Sequence, residues 1–480
     1  MTKPETKKPH KGIFSTTSFF LPLIKFFSFF AVGLLSEVAA DSDTKEDAVK
    51  RFEEVSEQID SGGVLYQYVS VDGDLSGLAK FINSFMSGAR EFNEGVPEIN
   101  VEELMRISGL DSISALGQSS IETEEGFRNK LYLHAPNGLR GFLSLGGDEA
   151  KPFEVLQLAP SGSDFVIQQE VKLKTFYNEV VLAALGGSPK QVGTMPLGPK
   201  GMALKMMVDG MMKQPLPPGH HNPSPFAFTA EKLMNDLDTK IMVIIDVDPS
   251  KMMELPMEGK DLFMPKIEYA ILVDNLGWIA GNFVKLHKAE LAKGASQPLE
   301  VIDNENWIGL KLRSRDETER MIFRQYGLDN AMLAHHRPSG KLILSSSKEF
   351  AAGLFSQKPK LASDPVFLAK TKGLPMEGTA IGYHSPVVHS EFRKFIKEAI
   401  EKEFTGEDRY YAMSLLDFFL PEGAQSSEVK VITPTEKGLL SVANSYGSGS
   451  KVFRDVGLSI YWSWISSRVF EPNKEKSLRN

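Results

Sequence analysis

An α+β fold of two similar halves is what the sequence predicts, each half a mixed or antiparallel sheet with helices packed on one face. Three observations carry this. Strand-like and helix-like stretches are interleaved along the 480 residues. Many strand-like runs are joined by short turn sequences, which favours hairpins over a doubly wound parallel sheet. A strand–elbow–helix unit recurs at Val64–Met86, Phe165–Leu185 and Gly378–Phe404.

The elements follow in order. Val49, Phe52, Val55 and Ile59 fall at helical spacing on one face, and Gly62-Gly63 ends that helix. Val64–Val71 is rich in β-branched and aromatic residues and reads as a strand. The next helix places Leu75, Leu78, Phe81, Ile82 and Phe85 inward, and a short one covers Val101–Ile107. Ala115–Ile121, Asn129–His134 and Leu139–Leu145 read as antiparallel strands turning at Glu124-Glu125-Gly126 and Pro136-Asn137-Gly138. Phe165–Glu170 is a strand and Leu173–Leu185 a helix.

Residues 191–225 hold seven prolines and six methionines and read as a linker between a first half, 41–190, and a second, 226–455. The second half opens with apolar strands at Lys240–Asp246 and Ile267–Val273, then a hairpin of Leu299–Ile302 and Trp307–Leu312. Thr318–Tyr326 is helical, and Lys341–Ser345 leads into the helix Lys348–Phe355, with a serine as its cap. Asp364-Pro365 starts another helix, since proline suits the first turn. In Gly378–Phe404 the helix buries Phe392, Phe395, Ile396 and Ala399, with Ser390 as cap. The helix Glu407–Phe419 and a hairpin of Glu428–Ile432 with Gly438–Asn444 close the body. Residues 456–480 form an aromatic, then polar, tail.

Composition narrows function. Without residues 1–40, which carry five lysines and two glutamates, the net charge is −11, so nucleic acid is not an expected partner. There is no cysteine, hence no disulfide framework, thiolate metal site or cysteine nucleophile. The five N-terminal lysines, the apolar run Phe26–Leu35 and the small residues Val38-Ala39-Ala40 have the order of a signal peptide over 1–40. The run is shorter than the roughly 20 residues a spanning helix needs. Export to a bacterial periplasm or cell surface is the expectation, with an uncleaved N-terminal anchor as the alternative. The partner would be an envelope protein or ligand. The tail segment Gly457–Phe470 adds an expectation of peripheral membrane contact, because tryptophan and tyrosine favour that interface.

Several segments resemble a family of exported bacterial proteins of unknown function with a duplicated α+β body. In the second half these are GKLILSSSKEFAAGLF, SDPVFLAKTKGLPMEGTAIGYHS and VKVITPTEKGLLSVANS; in the first, LGQSSIETEEGFRNKLYLHAPNGLRGFLSLGG and LAPSGSDFVIQQEV. The resemblance covers Val64 to Tyr446. It implies export and duplication, and no reaction.

The candidates for chemistry each have a structural counterpart. His220 and His221 form a histidine pair in a proline-rich loop, where neighbours point apart rather than converge on a metal. His335, His336, His384 and Asp246 are the catalytic candidates of a hydrolase with a site between the halves, and His389 joins His384 at the elbow as a binding candidate. Asp246 and Asp248 alternate onto one strand face, suited to a divalent cation or to a strand end. Ser345 and Lys348 have Ser-x-x-Lys spacing without the companion motifs. Met206 and Met207 lie in a methionine cluster whose one-turn spacing suits helix packing or partner binding. No phosphate-binding glycine loop, Gly-x-Ser-x-Gly elbow or dinucleotide fingerprint occurs, and no cofactor is expected. The leading expectation is a non-enzymatic binding or structural module.

Overall fold

A computed structural model describes residues 45–92 except 72, 99–184, 228–254, 262–294, 299–314, 328–422 and 427–449, with scattered positions in 205–216 and 316–323. The signal segment, the aromatic tail, most of the proline- and methionine-rich stretch and most of Thr318–Tyr326 lie outside these residues.

The described residues carry thirteen strands in one sheet. These are β1 (Leu65–Ser70), β2 (Ala115–Thr123), β3 (Gly126–His134), β4 (Phe165–Lys172), β5 (Asp238–Glu254), β6 (Phe263–Val273), β7 (Leu299–Asp303), β8 (Trp307–Leu312), β9 (Met332–His336), β10 (Lys341–Ser345), β11 (Ala380–His384), β12 (Glu428–Thr435) and β13 (Gly438–Ser445). Across the sheet the order is β1-β2-β3-β13-β12-β11-β4-β5-β6-β10-β9-β8-β7. Every pairing is antiparallel. The α+β class therefore holds, in its antiparallel form.

Two expectations change. The segments 41–190 and 226–455 do not each make a sheet, because β11, β12 and β13 lie between β3 and β4 of the first segment. Helices also cover both faces. One face packs on Phe350 and Leu354 of α5 (Lys348–Leu354) and Phe367 of α6 (Pro365–Lys370), over Met242, Ile244, Leu272, Ile343, Ile381 and Val431. The other packs on α4 (Gly277–Ala292), where Leu276 and Ala280 meet Leu342, with Val273 and Leu333 alongside. Successive strand residues face opposite sides, so both helix layers draw on the same strands.

Local chemistry explains the boundaries. Ser347 caps α5 through Phe350 N–H, and Asp364 caps α6 with Pro365 in its first turn. The helix α7 (Pro386–Glu403) starts earlier than expected, because Ser385 rather than Ser390 is its cap and Pro386 opens it. Leu139–Leu145 is not a strand. Gly138, Gly141 and Gly147 have φ of 85°, 58° and 88°, and the chain there turns into a short 3-10 helix, Leu143–Gly146.

The segments β1–α2–α3–β2–β3 and β11–α7–α8–β12–β13 share one connectivity of strand, two helices and hairpin, with α2 Asp74–Phe92, α3 Val101–Ser108 and α8 Gly406–Phe419. They meet through β3 and β13, so the strand order reverses across that pairing. Gly126 and Gly438 open the third strand of each. A Cβ on Gly126 would lie 2.5 Å from Ser445 O, and one on Gly438 1.9 Å from Leu133 O, so each hairpin needs glycine against the other's strand.

Helical spacing alone misjudged two helices. In α2, Phe81 and Phe85 are 68% and 67% exposed, and the buried residue is Ala79. In α7, Ile396 and Ala399 are buried as expected, Phe392 is 36% exposed, and Arg393 turns inward to Asp417 at 2.6 Å and to the carbonyls that end α8. Core and surface phenylalanines should therefore behave differently. Phe367→Ala should cost about 3–5 kcal/mol in urea unfolding, and Phe85→Ala no more than about 0.5 kcal/mol. Equal losses would contradict this packing.

Candidate functional site

At one end of the sheet the start of β5, the end of β6, the end of β9 and the start of β10 come together. They enclose an open, mainly polar pocket of about 560 Å³ lined by Glu154, Asp274, Asn275, Gly277, Trp278, His335, Ser339, Gly340 and Lys341. The strand ends place Asp274 and Lys341 side by side. Glu154 arrives from a separate segment, just before a one-turn helix (Val155–Leu158). Asn275 turns the chain into α4 with φ of 65°, which asparagine tolerates better than most residues.

Four charges alternate here, and three of them, Glu154, Asp274 and Lys341, line the pocket. Lys341 Nζ lies 2.5 Å from Asp274 Oδ1 and 3.0 Å from Glu154 Oε1. Lys240 Nζ lies 2.9 Å from Glu154 Oε2 and 3.7 Å from Asp274 Oδ2. Lys341 is 4% exposed. Burial this deep is tolerable for an ammonium only beside opposite charge. For Glu154, burial raises the carboxyl, but Lys240 and Lys341 together outweigh it and hold the group below its usual range. His335 is pushed the other way. Burial lowers its imidazole, and Arg337 adds to this, so the ring is neutral near pH 7. Its ring lies against the start of α4, where a Cβ on Gly277 would sit 2.4 Å from His335 Cδ2. Trp278 is held by its Nε1–H donating to Asp236 at 2.8 Å and by Lys232 Nζ 4.5 Å from the ring centre.

Of the histidines, His335 reaches this pocket. His336 faces the opposite side of the sheet, stacked 3.8 Å from Phe355 and 4.6 Å from Trp307, with Nδ1 2.9 Å from Ser339 Oγ. His384 ends β11, and His389 lies half-buried in the first turn of α7. Strand β11 stands five places from β9, about 24 Å at ~4.8 Å per strand. Asp246 is six residues beyond Lys240 on β5, about 20 Å along the strand, toward the other end of the sheet. The four catalytic candidates are thus not brought together. Met206 and Met207 are 70% and 58% exposed, and their one-turn neighbours Met202 and Met211 lie outside the described residues. His220 and His221 lie outside the described residues. Ser345 is buried and its hydroxyl is spent on Tyr269 O and Ser347 O, so the Ser-x-x-Lys spacing is structural.

Asp246 has its own setting. Asp164 ties its neighbourhood together. Its Oδ1 accepts from Ser385 Oγ at 2.6 Å, its Oδ2 from Val247 N–H at 2.8 Å, and its carbonyl from Ser385 N–H at 2.7 Å. Burial raises the Asp246 carboxyl to about 6; Ser163 opposes this, and Asp164 and Glu268 add to it. The Ser163 hydroxyl lies beside that carboxylate without a hydrogen bond of regular geometry. Asp248 points to solvent and is held at about 2 by Lys251 and Ser250. Among the described residues no group of three His, Asp or Glu side chains is placed to hold a metal ion.

Sequence reasoning missed Glu154, Asp274 and Lys341. A lysine opening the apolar run Lys341–Leu344 was the signal for a buried cation, but nothing local names its carboxylates.

Two outcomes follow. Between pH 3.8 and about 6 the folded chain keeps a proton on Asp246 that the unfolded chain has lost, so stability falls as pH rises through that window and stays lower above it. Asp246→Asn should remove this slope and add about 2–3 kcal/mol at pH 7, read from urea melts across pH; an unchanged slope refutes it. Lys341→Met should cost about 2–4 kcal/mol, because it leaves two carboxylates sharing Lys240. Adding Asp274→Leu should recover part of that loss, and simple additivity would show the charges to be uncoupled. Compared with known proteins, the chain matches no family model, no curated protein and no solved structure.

Proposed function

We propose that this chain is an exported, envelope-associated binding protein without catalytic activity, and that the pocket around Lys341 is its recognition site. The signal-like order of residues 1–40 supports export. Among the described residues no helix is long and apolar enough to cross a membrane. The two segments of shared connectivity are, on this reading, copies of one unit.

The observation that carries a binding role is the commitment of the pocket's ionisable groups. Lys341 and Lys240 each lie against both Glu154 and Asp274, so these charged side chains hold one another in place, and the two lysines keep the Glu154 carboxyl below its usual range. Such an arrangement is rigid and polar, which suits recognition more than proton transfer.

A hydrolase remains the second reading, on one contact. Ser339 lines the pocket and its Oγ lies 2.9 Å from His336 Nδ1, a nucleophile–base distance. The His336 ring is stacked on Phe355, and among the described residues no carboxylate pairs with it as a triad would require. Capture of envelope-fraction material on the immobilised full chain tests the first reading. Retention should fall at least about tenfold, the loss of one strong contact, with Trp278→Ala or Asp274→Asn. Retention that ignores both changes, together with labelling of Ser339 by a fluorophosphonate probe, would replace binding by hydrolysis.

A further inference from the structure

We infer that the pocket beside Lys341 takes an uncharged saccharide. This rests on the binding reading above and adds the class of ligand.

The charge pattern comes first. Lys341 and Lys240 alternate with Glu154 and Asp274 at 2.5 to 3.7 Å, so each charge of the lining already has a counter-ion. A phosphate or carboxylate would compete with Glu154 and Asp274 for the lysines, and an amine would compete with the lysines for the acids. A neutral ligand breaks no pair. The neutral state of His335 removes the remaining source of net charge on the wall.

Hydrogen-bonding capacity comes second. Glu154 and Asp274 bring acceptors, and Lys341 and Asn275 donors, to the lining of one cavity. A hydroxyl both donates and accepts, so neighbouring hydroxyls on a ring can use donor and acceptor neighbours together. Carboxylates and ammonium groups with spare lone pairs or protons can each take a further neutral partner.

Trp278 lines the pocket, its position fixed by Asp236 on one atom and by Lys232 over one face of the ring. A fixed aromatic surface beside polar groups suits a sugar ring, which carries C–H groups on its faces and hydroxyls on its rim. A volume of about 560 Å³ admits one or two such rings. Lys341 is held from both sides before any ligand arrives, so little order has to be gained on binding.

The test is calorimetric titration of the full chain with neutral disaccharides (maltose, cellobiose and diacetylchitobiose) and with charged sugars (glucose 6-phosphate, glucuronate and glucosamine). At least one neutral disaccharide should bind with Kd of about 1 mM or tighter. Affinity should fall at least about tenfold in Trp278→Ala and in Asp274→Asn, and should largely survive in Trp278→Phe, which keeps the aromatic wall. Cooperative urea melts of each variant separate lost binding from lost folding. Tighter binding of the charged sugars overturns the saccharide class assigned here while leaving the binding reading intact. So does the absence of any sugar binding when envelope capture still depends on Trp278. Neutral-sugar binding that is indifferent to both pocket variants places the ligand elsewhere and overturns the inference. Absence of both sugar binding and Trp278-dependent capture removes both readings.

Discussion

Strand β11 must pair on both of its edges, and much of the architecture depends on that. It is five residues long and lies between β12 and β4. Left unpaired, it would bury two rows of backbone groups without partners, at a cost no core could offset. Its pairing joins the strands that follow it in the chain to strands laid down long before. Asp164 secures the junction with bonds to the Ser385 hydroxyl and backbone and to Val247. One acidic side chain thereby connects β4, β5, β11 and the start of α7. This is why a chain that reads as two halves folds around a single sheet.

The pocket is a consequence of the same sheet. Antiparallel order brings the ends of alternate strands to one side, so Asp274 at the end of β6 meets Lys341 at the start of β10. Their pairing in a buried setting would be costly if either lacked a counter-ion. Glu154 and Lys240 complete the set, and the result is a cluster without net charge. The electrostatics of Glu154 and His335 follow from that geometry, since two lysines keep the carboxylate ionised and burial keeps the imidazole neutral.

Ser347 as a cap and Asp364-Pro365 as a helix start were readable, because a cap is a contact across three residues. The hairpins at Gly126 and Gly438 were readable from turn chemistry. The inward face of α2 was not. Helical spacing places Phe81 and Phe85 on a common stripe, but whether anything covers a stripe depends on a neighbour far away in the chain. Adjacent His335 and His336 looked like a cluster, whereas alternation along a strand sends one to the pocket and the other into an aromatic stack on the far face.

The sequence by itself determined much of the local grammar of this protein: its class, nearly all of its strands, most of its caps and turns, and the absence of cysteine chemistry. Those depend on interactions within a few residues. Tertiary structure alone decided that the long strands form one thirteen-stranded sheet rather than one sheet per half, that helices cover both faces, and that Glu154, Lys240, Asp274 and Lys341 form one cluster of charges while Asp246 and His384 lie elsewhere. The physical reason is strand order. It is set by long-range pairing and by the burial that pairing makes possible, and no local pattern of residues encodes which distant edge a strand will join.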